Sequence, residues 1–440
     1  MTEPTDRPGP IEQTAATAAS GHAAAANRRA AAVSEPAAVS ERAAAAVSER
    51  EAAAVSASER AAAGERIAGV AERERAAAAG GSERAAATRT AERPAPQRKR
   101  ISLRAAGVAV RLDLRTTGVT VLLLLGVLVA AAITVVYVGT RIPFADMMDV
   151  FAGEGRRADR FVLFDLRLPR LCLGLLAGAA LAASGAVFQS LSRNPLGSPD
   201  IVGFTTGSAS GAVLAIIVFG AGPGGAAFSA VVGGVATAVV VYGLAAIGGG
   251  AIRRVVLVGI GVSAMLVALN SYLISRARLD AAQSAAVWLV GTLNGRTWSY
   301  VQLLGVALIL LTPPLLLMSR RLHLLEMGDD TAHSLGVKAG PTRLILVLLA
   351  VAICAVATAA TGPVAFVALA APQITKRLAR SATLPLLPSM ITGALLMVLS
   401  DFVAQRLLAP AQMPVGVVTG AVGGAYLAWL LSVQWRKGAS

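Results

Sequence analysis

Catalytic equipment is what this chain has least of. It carries two cysteines, Cys172 and Cys354, both inside apolar runs, where they read as small buried hydrophobes and not as a disulfide or metal pair. Its three histidines, His22, His323 and His333, are scattered, so no zinc or haem constellation is expected. No Gly-x-x-x-x-Gly-Lys-Ser/Thr phosphate loop occurs, so any nucleotide hydrolysis must come from another subunit. Charged residues make up only 15% of the chain, and they are missing altogether from stretches such as Leu171–Leu191. About twenty such residues suffice for a helix to span a hydrocarbon core. With 55% hydrophobic residues, the chain reads as an integral membrane protein.

What charge there is lies unevenly. Residues 1–100 carry 15 Lys/Arg against 13 Asp/Glu, and the remainder 25 against 12. A basic membrane domain reflects the preference of Lys and Arg for cytoplasmic loops and does not call for nucleic acid. Residues 1–97 are low complexity, with imperfect Ala-Ala-Val-Ser-Glu-Arg repeats such as Ala44–Arg50 and Ala52–Arg60. Having almost no large apolar side chains to bury, this segment is expected to be a disordered cytoplasmic tail, or sequence upstream of a later true start. It contains no apolar core of signal-peptide length. Residues 98–117, with Arg98, Lys99, Arg100, Arg104, Arg111 and Arg115, form a basic juxtamembrane approach that fixes the N-terminus inside.

The membrane domain, 118–437, is organised around Arg167–Gly211. Arg167-Leu-Pro-Arg170 opens an apolar, glycine-rich segment that breaks at Ser192-Arg193-Asn194-Pro195-Leu196-Gly197-Ser198-Pro199 and resumes from Ile201. Pro195 and Pro199 cannot continue a helix, so the stretch predicts two membrane helices and a polar turn. Gly174/Gly178 and Gly207/Gly211 put small residues on one face, where helix backbones can approach closely.

Ten candidate spans follow: Gly118–Val138, Leu171–Leu191, Ile201–Phe219, Ala226–Ile247, Val255–Ile274, Tyr300–Met318, Leu344–Thr361, Pro363–Thr375, Leu386–Val403 and Val415–Val433. Ten spans put both termini on one side. Arg193, Arg253/Arg254, Arg320/Arg321, Lys338/Arg343, Lys376/Arg377/Arg380 and Arg436/Lys437 then fall on the cytoplasmic side. Arg156, Arg157, Arg160, Arg167, Arg170, Arg276, Arg278, Arg296 and Arg406 fall outside, which an acidic external partner would explain.

Several blocks in this order carry a resemblance. They are Arg-Leu-Pro-Arg at 167–170; Ser184-Gly185 with Gln189; Arg193–Pro199; Trp288-Leu289-Val290-Gly291; Gly328–Ala332 with Ser334–Val337; Gly362–Val367; Asp401; and Met413–Thr419 with Gly423-Gly424. Residues 111–437 resemble the iron-chelate permease family of ABC importers, which take up ferric siderophores and cobalamin. The Asn-Pro-Leu-Gly-Ser-Pro-Asp, Leu-Glu-Met-Gly-Asp-Asp-Thr-Ala and Gln-Met-Pro-Val-Gly-Val-Val-Thr blocks look most like ferric enterobactin permease subunits. One departure is Gln373, where the family usually has His after the proline; Gln keeps hydrogen-bonding capacity.

The resemblance implies an all-α permease of the type II importer fold with about ten transmembrane helices. It implies no enzymatic activity and no cofactor or bound metal of its own. It implies separate ABC ATPase subunits, a second permease subunit and an extracytoplasmic siderophore-binding protein, all at the cytoplasmic membrane of a bacterium. Cobalamin or haem is the alternative cargo. An ion-coupled secondary transporter is the alternative class, disfavoured by the scarcity of intramembrane charge.

Three candidate sites follow. Gly328-Asp329-Asp330-Thr331 suits a helix start, with acidic groups at the positive end of the dipole, and Gly336 suits a stop. By resemblance this loop couples to the ATPase through Glu326, Gly328, Asp329, Asp330, Thr331, Ala332, Leu335 and Gly336. An ordinary capped loop helix is the plain reading of the same residues. Arg167, Arg170 and Arg406, by resemblance, meet glutamates of the binding protein, a task for which the planar guanidinium fork is suited; snorkelling to headgroups is the plain reading. The third set, Ser184, Gln189, Asn194, Pro195, Gln373 and Asp401, either lines the path or satisfies backbone groups at helix breaks. Asp401 is equally readable as a functional membrane carboxylate or as a salt-bridge partner of Arg406.

Overall fold

The computed structural model describes residues 100–105, 108–137, 143–247, 252–381, 383–409 and 411–438. The described residues all lie in the second of two units, 98–440, and the tail expected over 1–97 lies outside them. The second unit opens with an antiparallel hairpin, β1 (Arg100–Ala105) and β2 (Val108–Asp113), in which Arg100 pairs with Asp113. Helices follow: α1 (Leu114–Tyr137), α2 (Phe144–Ala152), α3 (Arg157–Phe161), a π-helical stretch Val162–Arg167, and α4 (Leu168–Ser192). Next come α5 (Phe204–Phe219), α6 (Pro223–Ala246), α7 (Ile252–Arg276), α8 (Leu279–Val290), α9 (Trp298–Leu317), α10 (Ser319–Met327) and α11 (Asp329–Ser334). The last four are α12 (Ala339–Thr361), α13 (Val367–Ala379), α14 (Leu386–Arg406) and α15 (Val415–Gly438).

Among the described residues, seven helical segments are long and apolar enough to cross a membrane. Three of the ten expected spans come out differently. Helix α5 starts at Phe204, not Ile201, and is a shorter apolar helix, as is Val415–Trp429 within α15. The segment expected at Pro363–Thr375 does not form a helix of spanning length. The chain stays non-helical from Gly362 to Ala365, and α13 has 13 residues, about 20 Å of helix against a core of about 30 Å. Apolar α8 has no counterpart among the expected spans; Asp280 and Gln283 interrupt its hydrophobic run.

The central helix is also longer than its motif suggests. Arg157–Ser192 is one continuous helical run. Pro169 lies in the first turn of α4, where its missing donor is tolerated. The helix arrives there through the π turn, whose end is marked by the Leu168 N–H bonding to the Leu163 carbonyl. Arg167 and Arg170 therefore sit within a helix, not at the mouth of one.

Helix α4 is buried along nearly its whole length and packs on α12, α13 and α14. Its glycine face works as the spacing predicts: a Cβ on Gly178 would overlap the Gly393 carbonyl of α14, and the reverse also holds. On the neighbouring pair, Gly207 and Gly211 of α5 meet Gly233 of α6. Motif blocks far apart in sequence converge at the α12–α13 break. There Thr292 donates its N–H to the Thr361 carbonyl at 2.8 Å, and Gly416 to the Gly291 carbonyl at 3.2 Å.

Candidate functional site

Helix α4 has 25 residues, about 37 Å, and the candidate residues gather at its two ends. At its N-terminal end Arg170 forks onto Asp401 of α14: Nη2 donates to Oδ1 at 2.9 Å, and Nε to Oδ2 at 3.0 Å. Its Nη1 donates to Gln412 Oε1 at 3.0 Å, and Gln405 Nε2 reaches Asp401 Oδ2 at 2.7 Å. The side chains of Arg170 and Asp401 are 11% and 4% exposed, so this bidentate pair is largely removed from solvent. Asp401 is thus a salt-bridge partner, of Arg170 and not of Arg406, because the α4–α14 contact brings it there. Arg167 is buried and donates to the Val135 carbonyl at 2.6 Å, while Arg406 is exposed. The expected arginine set is therefore divided: Arg170 turns inward, Arg167 is covered by α1, and Arg406 faces outward. A cavity of about 270 Å³ opens beside Arg167 and Arg170, lined also by Asp165, Asn294 and Arg296.

At the C-terminal end, α4 and α13 are joined by a polar knot. Pro372 has no N–H, so the Ala368 carbonyl one turn earlier in α13 loses its helical donor. Gln189 of α4 supplies one instead, its Nε2 donating to Ala368 O at 3.3 Å and to Leu369 O at 3.0 Å. Gln373 closes the knot by donating to Gln189 Oε1 at 2.6 Å. The helices approach closely enough because residue 185 is glycine; a Cβ there would overlap the Ala368 carbonyl. Ser184 acts in the same manner toward α12, donating to the Ala350 carbonyl at 2.8 Å. Asn194 Oδ1 accepts the Leu196 N–H at 2.9 Å and shapes the turn in which Pro195 lies exposed. A groove of about 790 Å³ opens at this end, lined by Gln189, Arg193, Asn194, Glu326, Gln373 and Lys376 among others.

The expected loop helix is present as α11. Gly328 precedes it at φ 129°, with no side-chain cap. It stops in a Schellman arrangement, with the Val337 N–H on the Ala332 carbonyl at 2.8 Å and Gly336 at φ 79°. Ala332 is fully buried and Thr331 partly so, whereas Asp330, Leu335 and Gly336 are exposed, as is Met327 before the helix. The Glu326 side chain points inward, its Oε2 3.7 Å from His323 Nδ1.

Asp329 does not cap the helix but takes two arginines. Arg343 Nη2 donates to both its oxygens at 2.9 Å, and Arg193 Nη2 to Oδ1 at 3.0 Å. The Arg343 hydrogen bond above all, then the charges of Arg343 and Arg193, holds the Asp329 carboxyl below the usual carboxylate range. Neither arginine stood among the expected site residues. Arg193 was detectable as the one basic residue between α4 and α5.

No group of three or more His, Cys, Asp or Glu side chains that could hold a metal occurs among the described residues. A profile of the FecCD transport family matches residues 122–433, which take in both ends of α4 and the loop between α9 and α12. The chain belongs to the FecCD transport family. Its members are transport permeases, not enzymes, and the chain is a multi-pass membrane protein of that kind. It is 46% identical over 285 residues to the ferric enterobactin transport system permease protein FepG of Escherichia coli, covering 65% of this chain and 86% of that one. It is 31% identical over 321 residues to the same organism's ferric enterobactin permease FepD, covering 72% and 96%. Among solved structures it is similar to an inward-facing transporter assigned to the metal-chelate ABC type. The TM-score is 0.65 at 30% identity, over 72% of this chain and 99% of that one.

Proposed function

We propose that the chain is the permease subunit of a bacterial ABC importer that moves a ferric siderophore of the enterobactin, catecholate kind across the cytoplasmic membrane. The observation that carries the cargo is the 46% identity to an enterobactin permease over most of that protein's length. Separate ATPase subunits supply hydrolysis. A second permease subunit completes the passage, and the similarity to both FepG and FepD supports a heterodimer. An extracytoplasmic binding protein delivers the chelate, and both termini are cytoplasmic.

On this reading the α10–α11 loop seats the ATPase. Leu335 is 58% exposed and Met327 67%, an apolar pair suited to a groove. At the opposite end, exposed Arg406 meets a carboxylate of the binding protein, and Arg170 supports the rim from within. ATP-driven closure of the ATPase pair rocks the bundle between two states that must bind the chelate with different affinity.

Uptake of radiolabelled ferric enterobactin tests the proposal. A strain deleted for the permease genes regains uptake when this chain is returned with its partner subunits, and loses it when ATP is depleted with the proton gradient intact. Uptake that persists on the gradient alone would sink the importer reading.

A further inference from the structure

We propose that Arg193, Asp329 and Arg343 form the joint that hands movement of the α10–α11 loop to helix α4; this rests on the reading of that loop as the ATPase seat. Asp329 is the first residue of α11. Its carboxylate is shared by Arg343, in the second turn of α12, and by Arg193, which ends α4. Arg193 also donates through Nε and Nη2 to the Leu325 carbonyl at 3.3 and 3.0 Å, gripping the end of α10 as well. One side chain thus holds both halves of the loop.

Connectivity explains why such a joint is needed. The loop runs on into α12 through a few residues, so α12 follows it along the chain. Helix α4 lies 132 residues from Leu325 and 136 from Asp329 in sequence. It receives motion only through packing and this clasp. Leu322 and Leu325 pack as buried apolar side chains, but apolar packing is non-directional and permits sliding. A three-bond guanidinium grip fixes register.

Residue choice points the same way. Arg193 holds φ 51°, one of three non-glycine residues with positive φ among the described residues. Glycine or asparagine would fill that backbone position with less strain. The Arg193–Asp329 pair is 46% and 49% exposed, so it adds little to folding. An arginine kept in a strained conformation for a bond of small stabilising value is explained by what it connects.

Arg193→Gly tests this, since it deletes the grip while relaxing the backbone. Spin labels at Pro195→Cys and Arg321→Cys, both exposed, report the spacing between the end of α4 and the loop in the assembled importer. The clasped protein keeps that spacing to within about 2 Å between nucleotide-free and ATP–vanadate-trapped states, the scale of a helix shift at an interface. In Arg193→Gly the spacing moves by more than this on trapping, and Asp329→Ala gives a smaller change, because the two bonds to the Leu325 carbonyl remain. A spacing that changes in the clasped protein, or that stays fixed in Arg193→Gly, overturns the joint. Leu335→Glu reports on the seat separately. It abolishes co-purification of the ATPase if the loop docks there, and retained ATPase removes the seat reading whatever the spin labels show.

Discussion

Both ends of α4 carry an arginine–aspartate pair, and the two differ in nearly everything except chemistry. Arg170–Asp401 is largely buried, bidentate and surrounded by Gln405 and Gln412. Arg193–Asp329 is half-exposed, single-pronged and shared with Arg343 and a backbone carbonyl. A buried pair is costly to break, because the survivor is left as an uncompensated charge. A solvated pair exchanges partners at little cost. The first therefore behaves as a fixture that pins α14 to α4 and carries stability, and the second as a joint that adds little to folding and whose worth lies in what it connects.

The largest effect that would sharpen this contrast comes from Asp401→Ala, which strands Arg170. The expected loss is about 3–5 kcal/mol of stability, read from thermal or denaturant unfolding of the detergent-solubilised protein. The double variant Arg170→Met/Asp401→Leu should recover most of it. A single variant as stable as the parent would break the comparison. Next is Gln189→Ala, which leaves the Ala368 carbonyl without a donor beside Pro372 and frees Gln373. One unsatisfied buried group costs about 1–3 kcal/mol, and the same unfolding measurement reads it.

The smallest effect on stability belongs to Asp329→Asn, at about 0–1 kcal/mol, and its signature is in pH. Arg343 and Arg193 hold the Asp329 carboxyl low. Its contribution is therefore present above the ordinary carboxylate range and lost as pH falls through the depressed value. The clasp should be flat across about pH 5–8 and weaken only in acid. The stability difference between the parent and the Asp329→Asn variant should shrink toward zero on the acid side; a difference that grows there contradicts the assignment.

Much of this was legible from composition and motif. Charge-free runs located most of the helices, Gly174/Gly178 and Gly207/Gly211 marked close-packed faces, and Gly328 and Gly336 bracketed α11. What was not legible are the pairings, since nothing local says that Arg170 will meet Asp401, 231 residues away, in preference to neighbouring Arg406. The shortness of α13 was hidden for a related reason. Gly362-Pro363 announces a break, but how far it extends depends on a distant segment packed against it, where Gly291 lies against the Pro363 carbonyl and Gly362 against the Trp288 carbonyl. Gln373 was conspicuous as a departure, while its role in closing the Gln189 knot required α4 and α13 to be placed side by side.

Pro372 leaves one further constraint on how the bundle can open. Were α13 to swing away from α4, the Ala368 oxygen would be abandoned in a medium with nothing to offer it. Separation along that seam thus demands a substitute donor, whether invading water or a polar group on the passing chelate. The least costly trajectory is one in which these two rods travel as a single plank and the gap appears on some other side of them.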